Sequence, residues 1–207
     1  MIITYLGKQF FKIQQGNLIL AFNPISKDSK TDFKGSRFGS DIAFSTTNHP
    51  DFNGFDMVSH GDNVPFEVKG PGDYEIKDIF IKGIMTETEL GGKKYINTIY
   101  SLSIENISLC FLGCVNQGKF NADVRGQIDP PDILFVPIGN KELLSTSEAY
   151  KLAVSLEPKI IIPMDYESND LKAFLKEGGQ DQIKPIEKLT IKAKELAGRE
   201  GEIVVLS

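Results

Sequence analysis

The chain has 207 residues, 41% hydrophobic and 25% charged, with a formal net charge of −5. That is the balance of a soluble globular protein long enough for one sizeable core, or for two halves sharing one. The acidic balance argues against a general binder of nucleic acid or anionic membrane, because both need concentrated Lys and Arg to neutralise phosphate.

The first residues, Met1 to Gly7, lack the basic n-region and small-residue cleavage site of a signal peptide, and read as a strand, Ile2 to Leu6. Phe10 to Gln14 follows, then the turn signal Gln15-Gly16-Asn17, then Asn17 to Phe22, which together predict a β meander ended by Asn23-Pro24. Ser26 to Ser40 is polar and reads as a loop. Asp41 to Ser45 predicts a short buried strand, and Thr46 to Gly54 a polar loop. Further strands are predicted at Met57-Val58-Ser59, Pro65 to Lys69, Tyr74 to Ile76 and Asp78 to Met85, with a hairpin at Gly91-Gly92. Ile96 to Ile104 and Ile107 to Leu112 complete the strand-rich half, joined by the Glu105-Asn106 turn.

The second half changes rhythm. Ile133 to Ile138 is an unbroken apolar run, the signature of a strand covered on both faces. Ser145-Thr146-Ser147 offers an N-cap for a helix from Glu148 to Leu156, where Ala149, Leu152, Ala153 and Leu156 recur at helical spacing. Lys159 to Ile162 is the next strand, Leu171 to Lys176 a short helix, and Leu189 to Lys192 and Glu202 to Leu206 are terminal strands. A strand–helix–strand unit after a long meander predicts a mixed α/β protein, read as one domain over 1–207 with halves near 1–105 and 106–207. No apolar run approaches the roughly 18 to 20 residues needed to span a bilayer. Cys110 and Cys114, four apart in an extended strand, would lie about 13 Å apart, too far for a disulfide. Free thiols suit a reducing compartment, and a cytoplasmic location is expected.

Five stretches, in order, resemble the metallo-β-lactamase superfamily, and in particular its small bacterial branch of ascorbate-6-phosphate lactonase-like proteins and related zinc-dependent hydrolases. They are Thr4-Tyr-Leu-Gly-Lys8 with Asn23-Pro24; Asp41 to Asn53, at the place of the family's His-x-His-x-Asp-His loop; Gly70-Pro-Gly-Asp-Tyr-Glu75; Leu112-Gly113-Cys114, where the family has Leu-Gly-Asp; and Asp132 to Gly139 with Pro158 to Tyr166, where the family has Pro-Met-His-Tyr. The resemblance implies a four-layer αβ/βα sandwich, two sheets with helices outside, and one or two zinc ions whose bound water attacks an ester, lactone or phosphodiester.

Carried over position by position, however, the ligand set is broken. The first loop histidine is Thr47; His49 and Asp51 are retained; the last loop histidine is Phe52; Thr86-Glu87-Thr88 stands where a further histidine is expected; the bridging aspartate is Cys114; and the final histidine is Asp165. The branch's early Gly-His is Gly7-Lys8, which puts an ammonium near the site. The only other histidine, His60, matches no ligand position and reads as a turn residue.

The expected function is therefore that of a degenerate family member without metallohydrolase activity, with no catalytic, metal or cofactor residues, acting in binding or assembly. One alternative is a hydrolase with a metal site, zinc above all, rebuilt from His49, Asp51, Cys114 and Asp165. Another is an inactive interaction subunit of an active relative. A Cys114–His49 thiolate–imidazole pair is conceivable because both loops face the ancestral pocket. Cys110 reads as core packing, and Gly70-Pro71-Gly72 as a tight structural turn. The partner is a protein or a second copy, not nucleic acid or membrane; the sequence names no substrate.

Overall fold

The structure, a computed structural model, describes residues 1–33, 36–139 and 142–207. The opening meander forms as predicted: β1 (Ile2–Tyr5), β2 (Phe11–Gln15) and β3 (Leu18–Phe22) pair antiparallel, turning at Gly16. β4 (Ile42–Phe44) lies parallel to β3, and β5 (Phe66–Val68) parallel to β4. The strand predicted at Met57 to Ser59 is instead a single 3₁₀ turn, Phe55–Met57. Gly54 explains it: its N–H bonds the Pro24 carbonyl at 2.7 Å, and a Cβ there would sit 2.5 Å from the Ile25 backbone. The chain is held against the Pro24-Ile25 segment and has no room to pair as a strand.

The sheet boundary falls at the Gly70-Pro71-Gly72 turn, well before the midpoint near 105. Tyr74 and Tyr100 hydroxyls both bond the Gly70 carbonyl, at 2.8 and 3.4 Å, fixing where the chain crosses over. β6 (Gly72–Ile76), β7 (Ile79–Leu90), β8 (Lys93–Ile104) and β9 (Ile107–Phe111) then form an antiparallel ribbon. Its three turns, Lys77-Asp78, Gly91-Gly92 and Glu105-Asn106, all have positive φ at both residues, the conformation that matches strand twist in two-residue hairpins.

After a four-residue helix α1 (Ala122–Arg125), β10 (Ile133–Pro137) and β11 (Ile160–Met164) extend this sheet in parallel, every residue buried. The helix between them, α2 (Thr146–Ser155), starts at Ser145 with a capping box to Glu148, and α3 (Ser168–Glu177) begins earlier than predicted because Glu167 and Asp170 cap it reciprocally. β12 (Lys188–Thr190) returns to pair with β1, and β13 (Glu202–Ile203) with β11. The sheets run β12-β1-β2-β3-β4-β5 and β13-β11-β10-β9-β8-β7-β6.

Between them lies an aromatic core. Phe22 stacks on Phe44 at 4.3 Å and on Phe111 at 4.9 Å, and Phe11 meets Phe135 edge-on at 4.9 Å. A second core covers the outer face of the larger sheet, where Cys110, Leu134 and Ile161 pack under Leu152 of α2 and Phe174 of α3. Cys110 is thus core packing, as expected. Over the smaller sheet, among the described residues, the outer layer is built from loop residues Ile25, Phe38 and Val58 rather than from α-helices. Among the described residues no helix is long and apolar enough to cross a membrane.

Candidate functional site

The carboxyl ends of β3, β4, β9 and β11 deliver Asn23, Thr46 to Phe52, Cys114 and Asp165 to one side of the sandwich, where Lys8 and Gln9 arrive from the β1–β2 turn. Three of these residues, Lys8 (φ +52), Asn23 (φ +47) and Asp165 (φ +53), hold a left-handed backbone that non-glycine residues adopt at a cost. Local bonds stabilise two of them. The Lys8 carbonyl accepts from both the Asp165 N–H and the Tyr5 hydroxyl, each at 2.8 Å.

The floor is a buried polar network. Gln9, Asn23 and Asn97 are each fully inaccessible. Gln9 Nε2 donates to Asp165 Oδ2 at 3.0 Å, and its Oε1 accepts from Asn23 Nδ2 at 3.0 Å. Asn23 and Thr46 exchange two bonds, 2.9 Å from the amide to the hydroxyl and 2.8 Å from the Thr46 N–H to Asn23 Oδ1. Asn97 uses its whole amide: Oδ1 accepts from the Cys114 N–H at 2.8 Å and Thr47 Oγ1 at 3.3 Å, and Nδ2 donates to Thr86 Oγ1 at 2.9 Å and the Leu112 carbonyl at 3.0 Å. Gly113 permits this approach, since a Cβ there would lie 2.5 Å from Asn97 Oδ1. Sequence reasoning missed Gln9, Thr46 and Asn97. Burial demands hydrogen-bond partners for such groups, but nothing periodic in the sequence marks these three as buried.

Above the floor sits a charged layer. Lys8 Nζ lies 2.8 Å from Asp51 Oδ2, 4.0 Å from Asp165 Oδ1 and 5.5 Å from the centre of the Phe52 ring. Burial works against the ammonium, but the Asp165 charge and the hydrogen bond and charge of Asp51 outweigh it, so the Lys8 pKa is raised. Burial likewise opposes the Asp51 carboxylate, but bonds from Lys8 and Ser29 hold its pKa below the ordinary range. His49 is half-buried, its ring edge-on to Tyr95 at 5.8 Å, and its Nδ1 accepts the Asp51 N–H at 3.2 Å. Clefts of about 520 Å³ and 420 Å³ open on either side of Lys8, the first against His49, Asp51 and the 28–32 loop, the second against Tyr5, Phe33 and Asp165.

Of the residues singled out from sequence, Lys8, His49, Asp51, Phe52 and Asp165 meet here, and Thr47 and Cys114 lie in the adjoining buried layer. Glu87 does not join them. Strand alternation turns it to solvent while Thr86 and Thr88 on either side point inward. The Cys114–His49 pair is also absent from the geometry. Cys114 Sγ approaches Gln9 Oε1 at 3.8 Å, its neighbours are Phe52, Leu90 and Leu143, and burial pushes its thiol up to about 12. His60 is an exposed turn residue bridged to Asn63, as expected.

A two-sheet sandwich whose polar confluence lies at parallel strand ends is the metallo-β-lactamase fold. Solved structures share it: a metallo-β-lactamase superfamily protein from Thermotoga maritima (22% identity, 99% of this chain and 97% of that one, TM-score 0.76) and the metallo-β-lactamase fold protein YhfI from Bacillus subtilis (8%, 100% and 96%, 0.63). A family model for the β-lactamase superfamily domain matches residues 2–165, and the chain belongs to that superfamily. It is also similar to a UPF0173 metal-dependent hydrolase of Methanosarcina mazei (24% identity, 82% of this chain and 84% of the relative) and to another of Listeria welshimeri (25%, 80% and 85%).

The names of those relatives imply a metal, and the donors here do not fit one. The Thr47 hydroxyl is engaged with Asn97, Phe52 contributes only a ring, the Cys114 thiol is packed among Phe52, Leu90 and Leu143, and the Lys8 ammonium lies beside both carboxylates. Among the described residues no three His, Cys, Asp or Glu side chains are placed to hold a metal ion.

Proposed function

We propose that this chain is a non-catalytic member of its superfamily, whose clefted face serves binding or assembly rather than metal-dependent hydrolysis. The observation that carries this reading is the fate of Cys114. At the bridging position stands a fully buried thiol packed against Phe52 and Leu143, where the family has an aspartate. Bridging a catalytic metal requires an anionic donor, and the side chains that hydrogen-bond the sulfur are neutral: the Gln9 amide and the Thr46 and Thr47 hydroxyls. The two buried free thiols also support a reducing, cytoplasmic setting.

Metal content decides the matter. Untagged protein from metal-supplemented medium, analysed by plasma mass spectrometry before and after chelator dialysis, is expected to carry no stoichiometric transition metal. It is also expected to leave generic esters, lactones and phosphodiesters unhydrolysed. One equivalent of metal, lost in His49→Ala together with turnover, would establish the other reading, a hydrolase with a rebuilt site, which the relatives' names favour.

A further inference from the structure

The groups around Lys8 Nζ form the surroundings of a cation site, and the cation is covalently attached to the chain. Carboxylate oxygens of Asp51 and Asp165 lie 2.8 and 4.0 Å from the nitrogen, and the Phe52 ring presents its π system at 5.5 Å. The side chains concerned are mostly withdrawn from water: Lys8 is 18% exposed, Asp51 16% and Asp165 9%. Each partner is held from behind, Asp165 by Gln9 Nε2 at 3.0 Å and Asp51 by the Ser29 hydroxyl. The Lys8 backbone is pinned as well, in a left-handed conformation and with a carbonyl that accepts two bonds. Its direction is therefore set by the fold rather than by opportunistic pairing of a surface side chain.

We infer that Lys8 is a tethered cation standing in for the metal ion, the fixed positive charge that neutralises and positions Asp51 and Asp165. This deepens the non-catalytic reading above and rests on it. Two carboxylates brought together in a low-dielectric pocket repel each other and lose hydration unless a positive charge lies between them. Where a metal would supply that charge from solution, this chain supplies it from residue 8, in a form that cannot dissociate and that has no open coordination position. The folded state is thereby made independent of metal supply. A divalent cation can enter only by expelling an ammonium that remains attached and must itself be resolvated.

Excision and replacement of the charge test this. Lys8→Ala removes the equivalent of n-propylammonium, and Lys8→Met removes the charge while leaving the stem. At neutral pH, Lys8→Ala is expected to melt about 5–10 °C below the wild type, since one member of a buried ion cluster has gone. Added n-propylammonium chloride should recover most of that loss in a saturable manner, while sodium chloride at equal ionic strength and neutral 1-propanol should not. Lys8→Met should melt low and resist rescue, because its own stem fills the slot. Wild-type protein titrated with Mn²⁺ should show no bound ion by electron paramagnetic resonance.

An unchanged melting temperature in Lys8→Ala, a loss that no ammonium reverses, or Mn²⁺ bound to the wild type would each overturn the inference. Should Lys8→Ala fail to fold, proton–nitrogen NMR of the wild type decides: a slowly exchanging ammonium resonance that vanishes in Lys8→Arg is expected, and its absence would refute the proposal. Metal-free turnover by the wild type would overturn the non-catalytic reading while agreeing with a tethered cation.

Discussion

Asn97 shows how much one uncharged side chain can organise. Its amide joins Thr47 after β4, Thr86 on β7, and Leu112 and Cys114 after β9, so three separate stretches are registered by one planar group. Asn97→Ala would leave the Cys114 N–H and the Leu112 carbonyl buried without partners. A loss of about 2–4 kcal/mol is expected in urea denaturation, with the pocket's tyrosine and histidine NMR signals displaced. A wild-type midpoint would show that water takes the amide's place. At this scale the sequence was half legible. Lys8, His49, Asp51, Phe52, Cys114 and Asp165 could be placed because each stands in an ordered motif. Gln9 and Asn97 could not, because a buried amide leaves no periodic trace and becomes meaningful only when the strands that satisfy it are known.

Among the elements, both halves of the chain use the same device to start a buried parallel strand. Asp41 precedes β4; it accepts the Ile19 N–H of β3 at 2.8 Å and pairs with Lys77 at 2.5 Å. Asp132 precedes β10 and does the same for β9, accepting the Ser108 N–H at 2.7 Å and pairing with Lys159 at 2.6 Å. In each case a carboxylate fixes the register of two parallel strands that no short turn could align. The helix after β10 depends on its own cap: Ser145 and Glu148 close a reciprocal box, and Ser145→Ala should cost about 1 kcal/mol, seen as a lower urea midpoint at constant slope. Strands and helices of this kind were legible from alternation and caps. The 3₁₀ turn at Phe55–Met57 was not, because Met57-Val58-Ser59 alone reads as a strand and only the approach of Ile25 to Gly54 forbids it.

For the molecule as a whole, pH response follows from these acids. Asp41, Asp51 and Asp132 all have folded pKa values lowered from 3.8 against an opposing burial effect, through bonds to Lys77 and Ile19, to Lys8 and Ser29, and to Lys159 and Ser108. A lowered folded pKa means that the unfolded chain binds protons first. The stability these groups contribute is present above the unfolded value and is lost as pH falls through 3.8 toward the folded values. Calorimetry from pH 7 downward should show a flat melting temperature that drops steeply in the acid range, and Asp132→Asn should make that drop shallower. A drop of unchanged steepness would remove Asp132 from the account. The pairing of β1 with β12 has a consequence for synthesis. During translation the meander leaves the ribosome well before β12, the strand that completes its open side. Until then the nascent chain exposes a β1 edge able to recruit any extended peptide. Holdase chaperones, or slow codons placed between β3 and β12, would therefore affect yield.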